Sequence, residues 1–253
     1  LWAVDAAAGT VQFRSSYGNQ WSHWFAPVVT ADAVYMAGGY YGGMYSFTTD
    51  DGTQRWFAET NQYDEWTPAV ADGRVYAYTG DYTPRLAVHD AASGTALYTI
   101  ADPNFNWDGW SMHVSPVLGG SNNVLATQGG RLISFNLTNR TIGWERPANF
   151  RGNVTVADGV LYVINNNQVE ARRESDGSLL WVWIPPSGQQ PQGTTIVTRN
   201  MLFVSTGGAT YGIDLESRLQ TWSYNRGGLL ALGKDGILFI AGNNGNLAAV
   251  DLK

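Results

Sequence analysis

Three stretches of this 253-residue chain crowd aromatic, acidic and imidazole side chains together. They are Trp21-Ser22-His23-Trp24, Tyr63-Asp64-Glu65-Trp66, and Trp107-Asp108-Gly109-Trp110 followed by His113. Two shorter stretches, Tyr40-Tyr41 and Asp81-Tyr82 with Arg85, extend the set. Flat rings beside carboxylates suit a sugar ring or the side chains of a partner protein. An aromatic contact contributes about 0.5–1.5 kcal/mol beyond its burial, and Trp and Tyr are enriched at interfaces. His23 or His113 with Tyr63 or Glu65 would also supply the base and acid of a polysaccharide lyase. The plainer alternative is that these rings cover the core or pack on a neighbouring element. Asp64, Glu65 and Asp108 are oxygen ligands of the kind Ca²⁺ prefers, but their spacing matches no calcium loop. No HExxH, GxSxG or phosphate-binding loop occurs. No metal and no cofactor is expected.

The elements that must carry these stretches are legible from a repeat. A small residue, an acid two positions on, usually Gly four further, and an aromatic four after that recur along the chain. The copies are Ala3/Asp5/Gly9/Phe13, Ser46/Gly52/Trp56, Val88/Asp90/Gly94/Tyr98, Ser134/Asn136/Trp144, Ala171/Gly177/Trp181 and Gly212/Asp214/Trp222, with Ala249/Asp251 last. The aromatics are 43, 42, 46, 37 and 41 residues apart. A period in this range is the sign of stacked supersecondary units.

Each unit reads as four short strands. In the clearest one, Thr67–Val70 is opened by Pro68, and Asp72-Gly73 turns the chain as a hairpin. Arg74–Tyr78, Leu86–His89 and Thr95–Tyr98 follow, and Asp90 to Gly94 forms the last turn. His89 falls on the third strand, as a strand residue with its hydrogen bond satisfied. Asp accepts backbone N–H bonds in such a turn, and Gly tolerates positive φ. The aromatic on the fourth strand is expected to pack between units. Four antiparallel strands per repeat describe a β-propeller blade. The fold class is therefore all-β, a propeller of four-stranded antiparallel blades, with residues 1–253 as one domain. Two strands, five full blades and three strands make 25, against 24 for six blades and 28 for seven. A seven-bladed type with incomplete first and last blades is expected, with six or eight as alternatives.

Composition narrows the partners. The formal net charge is −6, and Lys234 and Lys253 are the only lysines, which argues against nucleic acid or an anionic membrane. Cysteine is absent, so disulfides and thiolate sites are excluded. No apolar run is long enough to be a transmembrane segment. Asn136-Leu137-Thr138 and Asn153-Val154-Thr155 match the glycosylation acceptor pattern, which chance often produces. The start at Leu1, without Met, reads as a removed leader or as a piece of a longer chain.

The repeat A-x-D-x-x-T-G-x-x-x-W resembles the tryptophan-docking repeat of PQQ-like propellers. That family includes quinoprotein alcohol dehydrogenases and the periplasmic lipoprotein scaffold of outer-membrane β-barrel assembly. The dehydrogenases are about twice as long and carry a vicinal Cys pair over their cofactor, so the resemblance is closer to the scaffold. It implies a non-catalytic periplasmic or extracellular module that holds a protein partner, with a glycan as the alternative. Loops of one propeller face carry the binding residues, and the first three connections differ from the rest. Trp21, His23, Trp24, Tyr41, Tyr63, Glu65, Trp66, Tyr82, Arg85, Trp107, Asp108, Trp110 and His113 lie in or beside them. The later connections, Asn149–Gly152, Pro185–Gln190 and Asn225–Gly228, are small and polar. One aromatic half of one face is thus the expected binding surface.

Overall fold

The computed structural model describes residues 1–19, 26–38, 42–60, 66–80, 82–106, 115–242 and 244–252. Every regular element among them is a β-strand. Strands β1 (Trp2–Val4) and β2 (Val11–Arg14) form a two-stranded sheet. Two four-stranded sheets follow. The first holds β3 (Val28–Val29), β4 (Ala33–Gly38), β5 (Gly43–Thr48) and β6 (Gln54–Glu59). The second holds β7 (Ala69–Ala71), β8 (Arg74–Thr79), β9 (Arg85–Asp90) and β10 (Ala96–Ala101).

A seven-stranded sheet comes next in chain order. It consists of β11 (Val117–Leu118), β12 (Asn123–Gln128), β13 (Gly130–Asn136), β14 (Thr141–Ala157), β15 (Val160–Asn165), β16 (Gln168–Arg173) and β17 (Leu179–Trp183). Strands β18 (Pro191–Val197), β19 (Met201–Thr206), β20 (Thr210–Asp214) and β21 (Gln220–Tyr224) form another four-stranded sheet. The last sheet has three strands, β22 (Leu229–Leu232), β23 (Ile237–Ala241) and β24 (Leu247–Asp251). By contacts the chain divides into two compact units, residues 1–118 with 135–142, and residues 119–134 with 143–253.

The strand pairs within the four-stranded sheets are antiparallel, as the short turns between them require. Asp72-Gly73 and Asp158-Gly159 both have positive φ at each residue, 50° and 70°, then 49° and 74°. These are type I′ hairpin turns, whose twist matches that of the strands they join. The central strands are buried on both faces; β4 and β12 are buried at every residue. That is why Val34-Tyr35-Met36 and Val124-Leu125-Ala126 read as apolar runs without alternation. Strands at the sheet edges alternate, as in β6, where Trp56 and Ala58 point inward.

The structure departs from the expected strand count at one place. Residues 141–157 form a single strand of 17 residues, so the fourth strand of one repeat runs directly into the first strand of the next. The connection Asn149–Gly152, read as a loop, is extended chain. Phe150 explains it: the ring is buried with Leu125, Leu132 and Val154, and this pins the backbone between the two halves. The guanidinium of Arg151 adds bonds to Asn166 O at 2.9 Å and Pro191 O at 3.0 Å.

The repeat residues build one recurring turn. In the first copy the Gly9 amide donates to Asp5 O at 2.8 Å, and the Asp5 amide donates to Thr10 O at 2.8 Å. Asp90 and Arg173 lead the same turn, with Gly94 N to Asp90 O at 2.9 Å and Gly177 N to Arg173 O at 2.8 Å. Each ends on a left-handed glycine, with φ of 68°, 73° and 69° at Gly9, Gly94 and Gly177. The Asp90 carboxylate accepts from the Ser93 hydroxyl and amide, and these bonds hold it below the usual carboxylate range. Asp214 is held low in the same way by the Ser217 hydroxyl and amide.

Two repeats place arginine where the others have this glycine. Arg140 and Arg218 adopt φ of 55° and 61°. Left-handed backbone costs an ordinary residue about 1–2 kcal/mol. Arg218→Gly is expected to raise the unfolding free energy by about 0.5–1 kcal/mol, because glycine's extra freedom when unfolded offsets part of the relief. A urea denaturation midpoint that stays put or falls would show that Arg218 is not strained.

Candidate functional site

The signature aromatics lie at contacts between successive repeats. The Trp56 indole N–H donates to Ala91 O at 3.0 Å, and Trp144 donates to Glu174 O at 3.0 Å. Each ring lies against the glycine three residues past its acceptor. A methyl on Gly94 would stand 2.6 Å from the Trp56 ring, and one on Gly177 would stand 2.6 Å from the Trp144 ring. Phe13 covers Gly52 in the same manner. In the fourth repeat the glycine is Arg140, and its guanidinium lies 4.2 Å from the Tyr98 ring centre as a cation–π contact. Glycine is required beneath a closely seated ring for lack of space as well as for its φ.

Of the residues singled out from sequence, three fall within the described part. Trp66 is 2% exposed and packs with Tyr35, Trp56 and Val75. It is a core side chain there, and its indole N–H has no partner among the described residues. Tyr82 is 85% exposed. Arg85 is half-buried, and its guanidinium donates to Thr83 O at 2.6 Å and to the Thr83 hydroxyl. Trp21, His23, Trp24, Tyr41, Tyr63, Glu65, Trp107, Asp108, Trp110 and His113 lie outside the described residues. His89 sits on β9, 6% exposed, with Nδ1 3.0 Å from Gly94 O, the satisfied strand histidine expected from its position.

The later connections are tied inward. Gln189 Oε1 accepts from the Thr206 hydroxyl at 2.6 Å and the Tyr211 hydroxyl at 2.9 Å. The Gly228 amide donates to Ser205 Oγ at 2.8 Å. These bonds engage Gln189 and Gly228 with β19 and β20.

One polar cluster escaped the sequence reading. Glu170 on β16 is 3% exposed. Its Oε1 accepts from Asn165 and Gln168, each at 2.8 Å, and its Oε2 pairs with Arg172 Nε at 2.6 Å. Arg172 also donates to Gly177 O at 2.7 Å and lies 4.9 Å from the Phe150 ring centre. Glu170 and Arg172 are two apart on a strand and so share a face; that spacing was the available signal. Both charges are compensated, which suits a structural network. Among the described residues no group of three or more His, Cys, Asp or Glu converges as a metal site would.

The likeness to known proteins follows the fold. The crystal structure of BamB from Moraxella catarrhalis superposes with a TM-score of 0.74 at 16% identity, covering 98% of this chain and 77% of that one. A quinohemoprotein alcohol dehydrogenase from Pseudomonas putida HK5 gives 0.65 at 12% identity, covering 85% of this chain and 50% of that one. A europium-containing methanol dehydrogenase gives 0.59 at 13% identity, covering 88% of this chain and 54% of that one. This chain thus spans about half the length of either dehydrogenase. Searching curated proteins finds no significant match. At these identities the likeness establishes the fold, an all-β propeller of four-stranded antiparallel blades. The family model described as outer membrane protein assembly factor BamB matches residues 1–149 and 138–253. With the whole chain so matched, it belongs to the BamB family of outer membrane protein assembly factors.

Proposed function

We propose that the protein is a non-catalytic scaffold of outer membrane protein assembly, working in the periplasm at the outer membrane. One observation carries the reading. The repeat residues, whose pattern resembles that of the quinoprotein enzymes, are engaged in turns and ring-on-glycine contacts, as at Trp56 and Trp144. They serve the framework, and this leaves the unequal loops as the variable, partner-facing part. In this reading Trp21, His23, Trp24, Tyr41, Tyr63, Glu65, Tyr82, Arg85, Trp107, Asp108, Trp110 and His113 form the surface for a protein of the assembly apparatus. Trp66, being buried, belongs to the framework in this reading.

The test is affinity capture of outer-membrane assembly proteins by the tagged chain and two variants. One variant carries Trp24→Ala, Trp107→Ala and Trp110→Ala. The other carries Asn149→Ala, Gln190→Ala and Arg226→Ala. Loss of at least about tenfold in captured partner is expected for the first only, since buried aromatic anchors dominate interfaces. Equal capture by both variants, or retention of a glycan polymer in place of a protein, would contradict the reading.

A further inference from the structure

One position in the recurring turn is filled by a residue of the wrong kind for its place. Its backbone identifies it, because the amide donates to the hairpin between the first two strands of its repeat. Ala91 N donates to Gly73 O, Glu174 N to Gly159 O and Leu215 N to Asn200 O, each at 2.9 Å. Its carbonyl accepts the indole N–H of the previous repeat at Ala91 and at Glu174. Ala91 and Leu215 pack into apolar clusters there. Glu174 brings a carboxyl group to the same place and is 1% exposed.

Buried polar oxygens are held by donors, and buried charges are paired or coordinate a metal. Glu174 Oε1 accepts from the Ser121 amide at 2.8 Å. Oε2 has no hydrogen-bond partner among the described residues. A second such oxygen lies alongside. Asn123 is buried and donates from Nδ2 to Ser134 Oγ at 3.0 Å, and its Oδ1 likewise has no partner among the described residues. Gly119 and Gly120 leave these oxygens uncovered. A β-carbon on Gly119 would press on Asn123 Oδ1 and stand 2.5 Å from Glu174 Oε1. One on Gly120 would stand 3.6 Å from Glu174 Oε2. Residues 120–122 are exposed, so the oxygens lie just beneath a surface turn.

We propose that Glu174 Oε2 and Asn123 Oδ1 bind a hard cation of the Ca²⁺ type, with water at the exposed turn completing its shell. Both ligands are oxygens, one charged and one neutral, the donor chemistry such an ion takes. A single carboxylate makes the site weak, with a dissociation constant on the order of 0.1–1 mM. The ion clamps the turn 119–122 to the turn Arg173–Gly177, on whose Glu174 carbonyl Trp144 is seated. It thereby reinforces a contact between successive repeats. The rival arrangement turns the Asn123 amide over, so that Nδ2 donates to Glu174 and the Ser134 hydroxyl donates to Oδ1. That network is closed and takes up no cation.

Terbium, a luminescent stand-in for Ca²⁺, is the direct probe, because the Trp144 indole bonded to Glu174 O can sensitise an ion at that residue. Tryptophan-excited terbium emission should appear on titration of the purified chain and be displaced by Ca²⁺. Ca²⁺ at about ten times the dissociation constant should raise the thermal midpoint by about 3–6 °C. Glu174→Leu introduces the residue that Leu215 supplies at the equivalent place, so the protein should fold. It should lose both the Ca²⁺-displaceable emission and the thermal shift. Asn123→Asp offers the ion a second carboxylate and should tighten binding at least about tenfold. No Ca²⁺-displaceable emission, emission that Glu174→Leu leaves intact, a thermal midpoint indifferent to Ca²⁺, or an Asn123→Asp protein that binds no tighter would overturn the proposal.

Discussion

Trp56→Ala is expected to lower the unfolding free energy by about 3–5 kcal/mol, the range for removing a large buried aromatic. The indole is 8% exposed, touches the Tyr35 ring at 5.9 Å and bonds to Ala91 O, so no water can take its place cheaply. Gly94→Val attacks the same contact from the other side. Its β-carbon would sit 2.6 Å from the indole, at a φ of 73° that β-branched residues avoid. Strain and overpacking together cost on the order of 2–5 kcal/mol. Urea denaturation with hydrogen exchange on β5 and β6 measures both. A loss below about 1 kcal/mol for either variant would mean that the ring-on-glycine contact is incidental.

Glu170→Ala is expected to cost about 2–4 kcal/mol, because it leaves the partly buried Arg172 charge without its carboxylate. The Asn165 and Gln168 amides lose their acceptor as well. Replacing the pair together, Glu170→Met with Arg172→Leu, should recover most of that loss, since apolar residues of similar size need no partner. If the double variant is as unstable as the single one, the hydrogen-bond geometry matters beyond charge pairing. Denaturation midpoints of the two variants decide between these.

The two sets of effects differ in how readable they were. The repeat showed its strands, its hairpins and its turns because local chemistry decides them. Asp-Gly specifies a type I′ turn, and Asp90 to Gly94 specifies the longer one, whatever surrounds it. That the aromatic packs between repeats was expected from the repeat as well; its seat on the next repeat's glycine comes from the structure. Residues 141–157 were misread at Asn149–Gly152 because a polar Asn-Phe-Arg-Gly run looks like a loop. Only the pocket formed by Leu125, Leu132 and Val154 makes it a strand. Burial of Glu170 was hidden for the same reason, since its partners come from a hairpin whose packing the composition does not show.

The candidate surface was legible as a grouping of residue types and no further. Trp66 and Tyr82 belong to that grouping, yet one is 2% exposed and the other 85%. Sequence places one in a long connection and the other in a short loop of the same face; packing against Trp56 and Tyr35 is what buries Trp66. The framework role of the repeat nevertheless sharpens the functional reading. A motif whose aromatics are engaged between repeats speaks for the framework and for no particular activity. The loops that the repeat supports are where the partner must be sought.

Site-specific photo-crosslinking in the periplasm tests the scaffold reading most directly. A photoreactive residue would stand in turn at Trp24, Tyr63 and Trp110, and at Asn149, Gln190 and Arg226. The account predicts covalent capture of an outer-membrane assembly protein from the first three positions and none from the second three. Capture confined to the second set, or spread evenly over both, would contradict it.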